Sequence, residues 1–126
     1  MNGKVYYFHV GGKTYNEAVA YCLTKEGMLA EPKSLQEHND MATLAETVTF
    51  EGLGVWIGIN DKSQEGSFTY ESDGEFIEYT NWYPGKPDSS GDCVILKKSN
   101  GFKWNDHPCR QNMSFICEKD EESGNF

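Results

Sequence analysis

Asp88, Asp92, Asn105 and Asp106 all fall in one stretch, Asn81 to Cys109, among prolines, glycines and tryptophans. A soluble core has no use for four oxygen-bearing side chains in such a setting. A hard divalent cation does: calcium takes about 6–8 oxygen ligands from carboxylates, amides and carbonyls. Cation ligation is therefore the chemistry these residues suggest. Each one alone also reads as an ordinary loop residue, because Asp and Asn favour turns, and Asn105 and Asp106 would equally suit the holding of a hairpin.

The elements that must position them read as follows. From about Thr80 to Asp92 no period is visible, and such a long irregular segment in a compact domain is functional or disordered. Pro84, Pro87, Trp82 and the nearby Cys93 argue for order, with Trp82 and Trp104 packed beneath the loop. Upstream, Val5–Val10 reads as a strand ended by Gly11-Gly12. Thr14 and Glu17 form a capping box, and Tyr15, Ala18, Val19 and Cys22 continue at helical spacing to Gly27. Ser34 and Glu37 form a second box ahead of Met41, Leu44, Ala45 and Val48, a second helix. Val55–Ile59 is a buried strand. Phe68–Tyr70 and Glu75–Tyr79 are short strands around the Asp73-Gly74 turn. Cys93–Leu96, Gly101–Trp104 and Ser114–Glu118 supply the last strands. Residues 1–119 make a single domain, and 120–126 an acidic, frayed tail.

Composition narrows the function. The 126 residues hold 11 basic and 20 acidic side chains, a net charge of −9, which repels phosphate backbones and excludes nucleic acid as a partner. No apolar run reaches the ~20 residues of a membrane helix. Met1-Asn2-Gly3-Lys4 carries no apolar signal core, so secretion implies a mature form. Cys22, Cys93, Cys109 and Cys117 suggest disulfides and an oxidising compartment. Four cysteines allow three pairings. The competing zinc site through Cys109 and His107 lacks a Cys-x-x-Cys pair. No serine sits in a nucleophile elbow and no spacing pairs an acid with a base over one bond, so an enzyme is not expected. His9, His38 and His107 read as surface or core histidines. Asn112-Met113-Ser114 fits a glycosylation sequon, a triplet that also arises by chance.

Trp56-Ile57-Gly58-Ile59, the X-Pro-X triplet Lys86-Pro87-Asp88, the triplet Trp104-Asn105-Asp106 and the four-cysteine spacing together resemble a C-type lectin domain, short and collectin-like, over about residues 5–119. The resemblance implies an α+β fold: two helices on small antiparallel sheets, a long irregular ligand-binding loop, and disulfides Cys22–Cys117 and Cys93–Cys109. It implies a secreted, non-enzymatic, glycan-recognising domain whose weak individual sites gain avidity by clustering or homo-oligomerisation. Its sugar-site ion would be held near Lys86, Asp88, Gly91, Asn105 and Asp106, which would also touch the ligand. A second, structural calcium would lie at Asp61, Glu65 and Asp92.

Two positions depart from the pattern. Lys86 stands where sugar-binding members carry Glu or Gln, and an ammonium has three donors and no acceptor. Gly91 stands where a carboxylate is common. Calcium dependence is thereby weakened. An ammonium among Asp88, Asp106 and Asp92 would instead order the loop without metal. The alternative function is a metal-independent protein-interaction or surface-adsorbing module of the same fold.

Overall fold

The structure, a computed structural model, describes residues 3–120. The order is β1 (Lys4–Lys13), α1 (Tyr15–Thr24), β2 (Met28–Leu29), α2 (Leu35–Thr47), β3 (Gly54–Asn60), β4 (Thr69–Tyr70), β5 (Cys93–Lys97), a 3-10 turn (Lys98–Asn100), β6 (Lys103–His107) and β7 (Met113–Asp120).

The capping chemistry starts both helices, in different ways. At α1 the box is reciprocal: Thr14 Oγ1 accepts the Glu17 N–H at 3.3 Å and Glu17 Oε1 accepts the Thr14 N–H at 3.0 Å. Its inward residues Tyr15, Ala18 and Cys22 are fully buried. At α2 only half of the expected box forms. Ser34 accepts from the Glu37 N–H, but the Glu37 carboxylate turns to the Lys4 ammonium at 3.0 Å and the Lys33 N–H at 2.9 Å. Charge-assisted bonding to β1 outcompetes the local backbone donor.

The strands differ from the expectation of small antiparallel sheets. They join into one seven-stranded sheet, with the path β1-β7-β3-β5-β6, β2 paired to β7 and β4 to β3. One pairing is parallel, Val55 with Ser114 and Trp56 with Phe115. Every residue of β3 is buried, as befits a strand covered on both faces. Ile57, Val94, Leu96 and Trp104 pack with Met41 and Ala45 of α2 on one side. Trp56, Ile95 and Phe115 pack with Tyr15 and Ala18 of α1 on the other. Burying one such aliphatic side chain contributes about 1.5–3 kcal/mol.

Three boundaries shift. Glu75–Tyr79 is not a strand: it reduces to a bridge between Thr69 and Phe76, and Phe76 is 70% exposed. Ile77 and Tyr79 still pack on the core, but only two backbone bonds, Tyr70 N–H to the Glu75 carbonyl and Ile77 N–H to the Phe68 carbonyl, join the segment to β4, too few for a ladder. β6 begins only at Lys103, because Lys98–Gly101 turns the chain, with Gly101 left-handed at φ 65°; Asn105 and Asp106 therefore stand on a strand. β7 continues to Asp120, which pairs with Lys4, so Asp120 belongs to the sheet; residues 121–126 of the expected tail lie outside the described residues.

The disulfides are Cys22–Cys117 and Cys93–Cys109, the pairing the resemblance implied. Cys109 is thus excluded as a zinc ligand. The first bond ties α1 to β7. The second ties the start of β5 to the segment after β6, close behind the loop that ends at Asp92.

Candidate functional site

The residues singled out from sequence separate into two groups along one loop. Asp61, at the end of β3, comes together with Glu65 and Asp92, and one oxygen from each lies within 4.8 Å of the others. The Asp61 N–H donates to the Asp92 carbonyl at 2.9 Å, so the backbone itself joins the two segments. Asp61 is only 2% exposed. Its Oδ2 accepts the Gly66 N–H at 2.8 Å, while its buried Oδ1 has no hydrogen-bond partner. Burial pushes its carboxyl up to about 6; the Gly66 bond opposes this, and the charges of Glu65 and Asp92 add to it. A buried, unpartnered carboxylate oxygen beside two more carboxylates is costly by itself and favourable around a cation. The donor set, hard and anionic, fits calcium.

Asn60 positions this group. Its Nδ2 donates to the Tyr15 hydroxyl and to Glu71 Oε1, at 3.0 and 2.9 Å, and its Oδ1 accepts the Lys62 N–H at 3.1 Å. Burial, chiefly, moves the Tyr15 hydroxyl well above the ordinary phenol range, so it stays protonated and donates to Glu71 at 3.0 Å. Neither Tyr15 nor Glu71 carried a functional signal in the sequence; both read as helix and loop residues.

The second group closes without a metal. Lys86 Nζ donates to Asp88 Oδ2 at 2.8 Å and to Ser90 Oγ at 3.3 Å. The Ser90 hydroxyl also donates to Asp88 Oδ1. The Lys86 ammonium, then the Ser90 hydroxyl, hold the Asp88 carboxyl well below the usual range. Asp106 is 1% exposed and accepts backbone N–H groups, from Ser90 at 2.9 Å and from Asp88 at 3.2 and 3.3 Å. Asn105 is 2% exposed and turned into its own hairpin: Oδ1 accepts from Asn100 and Nδ2 donates to the Lys103 carbonyl, at 3.1 and 3.2 Å. Lys86 therefore pairs with Asp88 and Ser90, while Asp106 holds backbone and Asp92 belongs to the other group. Ser90, whose hydroxyl and N–H both lock the loop, carries no site signal in the sequence.

Gly91 explains why the loop lies where it does. A Cβ built there would stand 2.1 Å from the His107 carbonyl carbon, 2.3 Å from its oxygen and 2.3 Å from the Pro108 nitrogen. The loop lies flat on the end of β6, and that contact presents the Asp88 and Ser90 N–H groups to Asp106. Beneath it Trp82 packs edge-on against Trp104 and Phe68, at 5.4 and 5.0 Å. Both tryptophans support the loop from below.

Two helices on a mixed sheet, two disulfides and a long irregular loop define a domain with the C-type lectin fold. The Lectin C-type domain family model matches residues 11–119. The chain belongs to the C-type lectin domain family. It is 38% identical to collectin-10 of Gallus gallus over 119 residues, 91% of this chain and 41% of that protein; it thus spans about two fifths of that relative's length. It is 33% identical to the alpha-N-acetylgalactosamine-specific lectin of Patiria pectinifera, covering 93% of this chain and 74% of that one. Among solved structures, human lithostathine superposes with a TM-score of 0.87 at 31% identity, over 95% of this chain and 94% of that one. A calcium-independent type II antifreeze protein gives 0.81 at 28%, over 95% and 88%.

Proposed function

We propose that this is a secreted, non-enzymatic, carbohydrate-binding C-type lectin domain in which calcium at Asp61, Glu65 and Asp92 supports the loop and Lys86 takes the place of the sugar-site ion. The observation that carries the calcium reading is the buried Asp61 Oδ1, unpartnered, on a carboxyl group that stands together with those of Glu65 and Asp92. The ion would neutralise this group and join the end of β3 to the loop. Sugar hydroxyls would then meet Lys86 as donor and Asp88 as acceptor, with Asn105 and Asp106 holding the surface beneath. The lectin relatives support a glycan or glycoconjugate ligand, and clustering of copies would supply avidity.

Thermal unfolding with and without millimolar calcium, with a chelator as control, tests this. Calcium at a tenfold excess over its Kd stabilises the domain by about 1.4 kcal/mol. Asp61→Asn abolishes that shift and raises the melting temperature of the calcium-free protein, because it removes one of three crowded carboxylates. A wild-type protein indifferent to calcium sinks the ion reading.

The closed Lys86–Asp88–Ser90 group favours a second reading, a metal-independent interaction module. A glycan screen that is blank with and without calcium would favour it. Lys86 also yields a separate expectation. Lys86→Glu places three acids at the loop and removes the ammonium, so loop order becomes calcium-dependent. In chelator, proteinase K cuts the variant within residues 84–92 faster than wild type, and calcium slows the cut. Equal rates in chelator would show that Lys86 does not hold the loop.

A further inference from the structure

On the side of the sheet facing α1, Tyr7, His9, Phe115, Cys117 and Lys119 share one face, and Tyr7 remains 43% exposed. Between this strip and the end of α1 opens a groove of 330 Å³ whose lining includes Tyr7, His9, Tyr21, Lys25 and Lys119, at the small end of ligand-sized clefts. Its floor is built of interlocked rings. His9 stacks on Phe115 at 4.6 Å, and Tyr21 meets His9 and Phe115 edge-on at 4.4 and 5.5 Å. The Lys25 and Lys13 ammoniums lie 5.4 and 5.6 Å from the centre of the Tyr21 ring. Among the described residues the lining contains no carboxylate, in a chain with 20 acidic side chains against 11 basic ones. Charge and apolar surface are thus sorted here against the bias of the whole molecule.

We propose that this groove is a calcium-independent binding site for an anionic sugar residue, sulfated or carboxylated. The apolar face of a pyranose ring would lie on the Tyr21 side of the groove, and its anion would meet the Lys25 ammonium, a pairing stronger than neutral hydrogen bonds. An extended peptide paired to β1, the edge strand of the sheet, is the competing occupant, and the tetrasaccharide and polyglutamate arms of the test distinguish the two. The groove lies on the α1 face and owes nothing to Asp61, Lys86 or the loop, so its failure would leave the loop reading intact.

A heparin-derived tetrasaccharide, titrated into the full chain in chelator, should bind saturably and more weakly as salt rises. Lys25→Glu should weaken binding by about tenfold at low salt while lowering the melting temperature only slightly, as expected for an acid at the exposed C-cap of α1. The charge-matched control Arg110→Glu, at another exposed position, should leave affinity within about twofold. Absence of binding in chelator overturns the proposal, as does an equal loss in both variants, which would mean attraction to charge alone. A polyglutamate peptide that binds as tightly as the tetrasaccharide overturns the assignment to sugar.

Discussion

The calcium-free domain loses stability relative to its Glu31→Gln variant as pH rises from about 5 to about 8.5. Glu31 is fully buried. Its Oε2 accepts the Ser72 N–H at 2.8 Å and its Oε1 the Ser72 hydroxyl at 2.9 Å. Burial pushes its carboxyl up to about 7 from the ordinary 4.5; the Ser72 bonds oppose the shift, the Glu118 charge adds to it and Lys33 offsets it. The unfolded chain releases this proton near the ordinary value, the folded one near 7. The stability contribution is therefore complete below about 4.5 and is lost as pH rises through about 7. At about 1.4 kcal/mol per pH unit the loss is on the order of 3 kcal/mol, about 10 °C in melting temperature. Glu118 and Asp61, also raised by burial, slope the same way, while His38 and His107, both lowered by burial, slope the opposite way, so the comparison with the variant isolates Glu31. Gln suits the site, because one end accepts the Ser72 N–H and the other donates to a hydroxyl free to rotate. Melting curves across this range decide the matter: a variant that falls as steeply as wild type would acquit Glu31.

Gly91→Asp, the substitution that restores the acid common in the family, is expected to destabilise the domain by about 3 kcal/mol rather than create an ion site. The three atoms a side chain would strike, 2.1–2.3 Å from its Cβ, are all backbone of His107 and Pro108, so no rotamer change relieves the contact. The loop must lift from β6, and the Ser90 and Asp88 N–H groups leave Asp106, itself buried. An unpartnered buried carboxylate then adds its own cost. Denaturant unfolding in chelator reads the loss, and calcium titration reads any gained site. A variant as stable as wild type would mean that the loop does not lie on β6 in solution. Lys86→Glu changes an exposed side of the same loop without this clash, so the two departures from the family pattern are not equivalent. One is a replaceable charge, the other a steric requirement.

Much of the architecture is local and was legible in the chain. Thr14 and Glu17 mark the start of α1 because a capping box needs only residues three apart. Val55–Ile59 reads as a covered strand because both faces are apolar. Asp61, Glu65 and Asp92 were legible as a group only through resemblance, since 27 residues separate Glu65 from Asp92. Glu75–Tyr79 misled because apolar alternation shows which side chains pack, as Ile77 and Tyr79 do, and not whether the backbone pairs continuously with a neighbour.

What the sequence by itself determined is the composition of the site: acids at 61, 65, 88, 92 and 106, an ammonium at 86, no side chain at 91, and cysteines to anchor both ends. Residue types set which chemistry is available, hard-oxygen ligation in one place and ion pairing in another. Only the tertiary structure decided how these groups are spent. It turns Asp106 toward backbone N–H groups, Asn105 into its own hairpin and Lys86 onto Asp88, and it leaves Asp61 Oδ1 without a partner. It also buries Glu31, an unremarkable residue before Pro32, and so makes it titrate near neutrality. The physical reason is common to all of these. Solvation and partner choice depend on which distant segments the sheet brings together, and β3 and the 86–92 loop reach β6 only because β5 pairs between β3 and β6.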